Sequence, residues 1–247
     1  MGDAGPAVRV VISQSMLFPW VGLLEQIRLA DVFVHYDDVQ FSRGSFVNRV
    51  QLKTAGGIEW LTVPLADQRL GQRIDEVRLA PASRWVPRHL DLLGRSLGGA
   101  PHAADALALV RSVYDAGHER LAPLARDSMM ALARYFGLDA GRRFVAASEL
   151  AADGRGSERV LAVVRALGGS TYVTGHGAAR YLQHEAFERA GIDVGYMDYR
   201  REPYPQSHGA FTPYVSALDL VAHCGRDGLR HIVSGTLPWR TFVHEPA

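Results

Sequence analysis

The chain has 247 residues, 47% of them hydrophobic and 21% charged, with a formal net charge of +1. That length suffices for one large domain with a buried core, and the near-neutral charge excludes a strong overall pull toward nucleic acid or anionic membrane. The single cysteine, Cys224, excludes an intrachain disulfide and any zinc site built on several cysteines. The opening MGDAGPAVRVVISQSM is too short and too weakly apolar for a secretory signal. Pro6 stands at the Ser/Thr position of the myristoylation motif that Met1-Gly2 would begin. No segment approaches the roughly 20 apolar residues that span a bilayer. The expectation is a cytoplasmic protein with neither nucleic acid nor membrane among its partners.

Val8 to Ser13 is a short β-branched run and reads as a buried strand. Val21, Leu24, Ile27 and Leu29 predict a helix over Trp20 to Ala30, and Asp31 to Tyr36 reads as a second strand. Strand, helix and strand with short joins is the pattern of a parallel sheet. Ligands of such sheets bind beyond the carboxyl ends of strands. That brings Gln14, after the first strand, and Asp37-Asp38-Val39-Gln40, after the second, to one rim. Asn48 to Lys53 and Trp60 to Pro64 flank Gly56-Gly57 and predict a hairpin. Asp75 to Pro87 has little periodicity. His89 to Leu97 and Ala103 to Phe136, broken near Gly117, are helical in pattern and predict a helical lobe over 85–150. Ser157 reads as the N-cap of a helix that Gly168-Gly169 stop near Leu167. Thr171 to Thr174 is a strand, followed by Gly175-His176-Gly177, a short helix from Ala178, and a strand over Ile192 to Tyr196. The tail from Arg200 onward is rich in aromatics, prolines and histidines, with one clear helix at Ser216 to His223. The expected fold is α/β, Rossmann-like or nucleotidyltransferase-like: a mostly parallel sheet with flanking helices, plus the helical lobe. Its core is drawn from 7–75 and 157–220, within one domain over 1–247.

Several residues carry chemistry. Asp37 and Asp38 stand at a strand end, where one can take a proton from an attacking amine, or stabilise the loop as an Asx turn. Gln14 suits paired hydrogen bonds to an amide or carbonyl. Trp20 can stack on a flat ligand or simply pack. Asn48, Arg49 and Lys53 form a polar-basic cluster, and Arg49 and Lys53 share one strand face, which suits phosphate or carboxylate. His176, between glycines, is of the residue type that shuttles protons, and Gly175 permits close backbone approach to a ligand. His89 is a second candidate base. Tyr204 and Gln206, with His208, are expected to line the cleft. Cys224 lacks an evident base and reads as an inert thiol, and no metal site is expected. The absence of G-x-S-x-G, P-loop, HExxH and G-x-G-x-x-G patterns argues against the commonest hydrolases, NTPases, zincins and dinucleotide enzymes.

An ordered run of short motifs carries a resemblance. It comprises Gln14…Pro19-Trp20-x-Gly22, Ala30-Asp31, Asp37-Asp38-Val39-Gln40, Asn48-Arg49, Lys53 and Trp60-Leu61-Thr62-Val63-Pro64. It continues through Gly175 to Leu182, Tyr204-Pro205-Gln206, Phe211-x-Pro213 and Ser216-x-x-Asp219-Leu220. This pattern resembles the WbqC-like family, named after proteins of bacterial O-antigen gene clusters. Ser15, Phe46 and His176 depart from it, standing where proline, tryptophan and proline are common. The resemblance adds Gln40 and Thr62 to the substrate-binding candidates. It implies a role in building surface polysaccharides or small metabolites, with transfer of glycine or another acyl unit onto an amine of a sugar. The expectation is therefore a biosynthetic acyl- or aminoacyl-transferase forming an amide or ester on a sugar or small-metabolite acceptor. Asp37, Asp38 or His176 would take the proton, and backbone N–H groups of the Gln14 or Gly175 loop would stabilise the oxyanion. Arg49 and Lys53 would hold the phosphate of a phosphopantetheine-linked thioester on an acyl carrier protein. A fainter likeness links Val10 to Ile27 with HIGH-motif nucleotidyltransferases and pantothenate synthetase. Trp20-Val21-Gly22-Leu23 lacks both of that motif's histidines. It leaves a ligase using Mg-ATP as one alternative and a non-catalytic carrier- or partner-binding module as another.

Overall fold

The computed structural model describes residues 7–244; the myristoylation motif considered at Gly2 and Pro6 lies outside them. In chain order the first elements are β1 (Arg9–Ser13), α1 (Val21–Leu29), β2 (Val32–His35), a hairpin of β3 (Arg49–Thr54) and β4 (Gly57–Thr62), and a two-residue pair β5 (Leu65–Ala66) and β6 (Arg78–Leu79). Three helices follow: α2 (Val86–Leu97), α3 (Ala103–Asp115) and α4 (Leu121–Tyr135). Then come β7 (Arg143–Ala146), α5 (Gly156–Ala166), β8 (Thr171–Thr174), α6 (His184–Arg189), β9 (Asp193–Asp198), α7 (Leu218–Cys224), β10 (Gly235–Pro238) and α8 (Trp239–His244).

Six strands make the central sheet, in the order β10-β9-β8-β1-β2-β7. All neighbours are parallel except β10, which runs antiparallel to β9. The fold is thus α/β with a mostly parallel sheet, as the sequence predicts. Alternate residues of the strands feed two cores. Val11, Phe33, Val173 and Met197 face α1, α4 and the lobe helices. Val10, Ile12, Val32, Val34, Tyr172 and Val194 face α5 and α6. A sheet covered on both sides needs apolar residues at both parities, which is why these strands read as continuous runs.

The chain crosses from β1 to β2 on one side and, much later, returns to β8 on the other. The carboxyl ends of β1 and β8 therefore flank a topological switch point, where the first crossovers part to opposite faces and leave a crevice.

Three features differ from the sequence reading. The segment assigned to the helical lobe ends in β7, which pairs with β2 at the sheet edge; four residues give too little pattern to announce a strand. The tail contributes β10 and α8 to the sheet's other flank. Gly235 and Pro238 mask β10, yet an edge position tolerates both. Ser157 is not an N-cap: α5 is preceded by Arg155 with no side-chain cap. The Ser157 hydroxyl instead accepts the Gln183 N–H at 2.9 Å, tying α5 to the start of α6. The hairpin forms with Ala55-Gly56 as its turn, Thr54 pairing with Gly57, and Gly57 sits at φ +108, where only glycine is comfortable.

Candidate active-site cleft

A cleft of about 680 Å³ opens at the switch point, within the size range of small-molecule sites. Ser13 and Gln14 enter it from β1, Gly175 to Ala178 from β8, and Tyr199 and Arg201 from β9. Its walls are aromatic: Trp20, Tyr36, Phe46, Tyr181 and Tyr214 join Tyr172 and Tyr199. Gln14 reaches the cleft as predicted, and among the described residues its side-chain amide has no hydrogen-bond partner, so it is free for a ligand.

Trp20 is held by what its neighbour lacks. Its indole folds back over Gly22, where a Cβ would stand 2.3 Å from the ring. Trp20 then lies 5.0 Å from the Tyr199 ring and 6.0 Å from Tyr214. Gln26 donates to the Tyr199 hydroxyl at 2.6 Å, and this pair packs against Gly175, whose added Cβ would meet Tyr199 Oη at 3.2 Å. The Trp20-x-Gly22 spacing and Gly175 thus shape the aromatic wall directly. Arg201 is the single arginine or lysine among the described residues that line the cleft; its guanidinium lies 5.4 Å over Tyr214. Its backbone is left-handed, φ +53, which costs an arginine on the order of 1–2 kcal/mol.

Among the described residues no carboxylate lines the cleft. Burial pushes the Tyr199 phenol up to about 12 and raises those of Tyr36 and Tyr181, so these tyrosines stay neutral donors at working pH. His176 is the lining imidazole, a group that can take a proton through one ring nitrogen while the other is held. Its Nε2 lies 2.6 Å from the Met197 carbonyl oxygen, which accepts only if Nε2 carries the hydrogen. The neutral ring therefore has its lone pair on Nδ1. Tyr199 and Phe242 hold the ring, with centroids 5.1 and 4.8 Å away. A narrow recess sharing Trp20 and Arg201 with the cleft contains Glu25. That carboxyl is buried, accepts the Ser234 N–H at 3.2 Å, and is pushed up by burial. Among the described residues no three His, Cys, Asp or Glu side chains converge to hold a metal ion.

Several predicted site residues lie elsewhere, and Asp37 and Asp38, expected as bases, stand outside the lining of the cleft. Asp37 is fully buried and both oxygens are taken: Ser15 N–H and hydroxyl donate at 2.9 and 2.8 Å, and Arg126 Nε at 2.6 Å. Asp38 pairs with Arg159, whose guanidinium lies 5.1 Å over Tyr36, so it backs the wall without entering the cleft. Arg49 and Lys53 share a strand face but do not act together. Lys53 is buried and donates to the Gly209 carbonyl at 2.9 Å, to the Ala210 carbonyl at 2.5 Å and to Gln206 at 3.3 Å, while Arg49 stacks on Trp60 at 4.1 Å and donates to the Gly44 carbonyl. The Asn48 amide caps the Val63 carbonyl at 3.0 Å. His89 is buried, donating through Nε2 to the Thr62 carbonyl at 3.0 Å and accepting the Tyr114 hydroxyl at 2.9 Å on Nδ1. Tyr204 is buried, and Gln206 clasps its own loop through both Thr212 backbone groups. His208 meets the Ser96 carbonyl, and Gln40 is exposed, bridging to Arg73. These residues stitch the hairpin and the 204–213 loop to the body; they do not line the cleft.

The sequence model of the WbqC-like protein family matches residues 14–231. The chain belongs to the WbqC-like protein family. It is 32% identical over 222 residues to the uncharacterized protein Rv1507c of Mycobacterium tuberculosis, covering 89% of this chain and 95% of that protein. No solved structure matches it.

In this WbqC-like chain, Gln14, Trp20, Gly175 and His176 were legible from sequence and do meet in one cleft. Tyr36, Gln26, Tyr172, Tyr199, Arg201 and Tyr214 were missed. For Tyr36, Tyr199 and Arg201 the signal was present: each directly follows or nearly follows a parallel strand, the rule that found Gln14. Gln26 and Tyr214 had no comparable signal.

Proposed function

We propose that this chain is a biosynthetic acyl- or aminoacyl-transferase whose acceptor amine is held in the aromatic cleft and deprotonated by His176. The observation that carries this reading is the Nε2–Met197 hydrogen bond in a cleft that no carboxylate of the described residues lines, which leaves Nδ1 as the available base. The amine nitrogen attacks the carbonyl carbon of an activated donor such as a thioester. A C–N bond forms, the C–S bond breaks, and the leaving sulfur takes the proton that His176 removed from the amine. Gln14, whose side-chain amide has no partner among the described residues, supplies a donor and an acceptor for the amide being formed, and the aromatic wall suits the flat or apolar face of a sugar.

The doubly wound strand order favours a second reading, an ATP-dependent ligase. Against it, the Trp20 indole covers the first turn of α1, where a phosphate would seek free N–H groups.

The test incubates the protein with an amino sugar and acyl- or glycyl-pantetheine thioesters, with and without Mg-ATP, and reads amide product by mass. Product from the thioester alone is expected, falling on the order of 10²–10⁴-fold in His176→Ala and retained in Asp38→Asn. A melting shift accompanies binding, since a ligand at about one hundred times its Kd adds roughly 2.7 kcal/mol. Product only with Mg-ATP, with AMP released, replaces the thioester reading by the ligase; no product under either condition leaves the binding-module reading standing.

A further inference from the structure

We infer a second binding site, for a phosphate-bearing ligand, in the groove between the β4 hairpin strand and the start of α2. The groove encloses about 710 Å³ and is lined by Trp60, Arg84, Arg88 and Arg95, among others. Its charges do not cancel. Arg95 takes both nearby acids, Glu59 at 3.4 Å and Asp91 at 3.2 Å. Arg84 and Arg88 are exposed, and among the described residues neither side chain has a hydrogen bond or ion pair. With Arg95 matched by its two acids, the positive charge of the groove rests on Arg84 and Arg88, whose guanidinium groups are left to meet an anion. Arginine forks match phosphate oxygens in a bidentate manner.

Trp60 supplies the second half of the site. Its ring is exposed, and Arg49 stacks at 4.1 Å on it, adding a further positive charge to the platform. A flat or apolar portion of the ligand has this indole to lie against. The groove and the cleft meet at an aromatic contact: Phe46 lines the cleft, and its ring centre is 5.8 Å from that of Trp60 in the groove. One elongated molecule can thus keep its phosphate at Arg84 and Arg88 and pass across Trp60 and Phe46 toward His176. The anchoring of a transferase donor rests on the function proposed above; the binding itself does not.

The experiment is calorimetric titration of the full chain with adenosine 5′-diphosphate and with inorganic pyrophosphate at low ionic strength, with no turnover involved. Both are expected to bind saturably, and the double variant Arg84→Ala/Arg88→Ala to weaken both about tenfold or more. Trp60→Leu should weaken the nucleotide and spare pyrophosphate, and Arg201→Ala, in the cleft, should change neither. Absence of saturable binding to the wild-type chain overturns the site. So does loss of binding in Arg201→Ala alone, which moves the anion to the cleft. Binding of polyglutamate but of neither phosphate probe would make the groove a docking face for an acidic protein and also overturn it. Because binding is read without product, failure here is separable from failure of the transferase assay.

Discussion

The loops after β2 and β8 stand on the same rim of the same sheet and have opposite fates. The β2 loop carries two carboxylates, and both pair with arginines from helices, Asp37 with Arg126 of α4 and Asp38, through one oxygen, with Arg159 of α5. The β8 loop carries one histidine between glycines, tethered by one nitrogen and open at the other. Charge at a strand end is thus a poor guide to chemistry when a neighbouring helix supplies the counter-charge. The largest test of this contrast is Asp37→Ala, which strips Arg126 of its partner and leaves the Ser15 donors unsatisfied. A loss of about 3–5 kcal/mol is expected, read by urea unfolding. A loss below about 1 kcal/mol, together with lost turnover, would return Asp37 to the role of base.

The buried histidines extend the contrast to pH. Ser15 donates its hydroxyl to Asp37, so it must accept at 3.0 Å from His35 Nδ1–H. Burial lowers the His35 pKa to about 4, and does the same to His89. A depressed histidine folds neutral, while the unfolded chain takes up a proton below about 6.5. Stability is therefore complete above pH 6.5 and is lost as pH falls toward 4, by about 1.4 kcal/mol per pH unit for each histidine. Urea unfolding at pH 7 and pH 5 should differ by about 4 kcal/mol, and His89→Gln should halve that difference. An unchanged midpoint would mean that both rings protonate in place.

Gly22→Ala attacks the open side of the comparison. The new Cβ meets the far edge of the Trp20 indole, which can swing away, so the stability cost should stay near 1 kcal/mol. The cleft should lose that wall, and thioester binding with it, while adenosine diphosphate binding at the groove persists. If ligand binding survives, Trp20 packs without recognising anything.

How much of this was legible follows from what each pattern reports. The parallel strands were legible because Val-rich runs buried on both faces have few other readings, and the switch point followed from their order of appearance. β7 and β10 were not, being short edge strands whose partners lie more than thirty residues away or whose sequence contains glycine and proline. At the site, a strand-end rule located Gln14 and His176, but sequence cannot tell a free polar group from one whose partner arrives from a distant helix. Arg126 and Arg159 are 89 and 121 residues from the aspartates they neutralise. Lys53 likewise looked like a ligand-binding cation only because its acceptors, Gly209 and Ala210, are backbone carbonyls that leave no mark in a sequence.

Arg201 provides the smallest effect and the cleanest separation of site from scaffold. It holds a left-handed backbone, φ +53, that glycine adopts without strain, and its guanidinium lies over the Tyr214 face. A residue kept there for folding would lose stability on replacement. One kept for ligand binding would not, because strain at a site is tolerated only for what the side chain does. Arg201→Gly is therefore expected to change unfolding free energy by about 1 kcal/mol at most, in the stabilising direction once backbone strain outweighs the added chain entropy of glycine. Over the same substitution, affinity for an anionic or carbonyl-bearing ligand in the cleft should fall. A destabilised variant with unchanged ligand affinity would show that the left-handed turn serves to carry the chain from β9 into the 204–213 loop, and that the cleft reads its ligand through Gln14 and its aromatic walls alone.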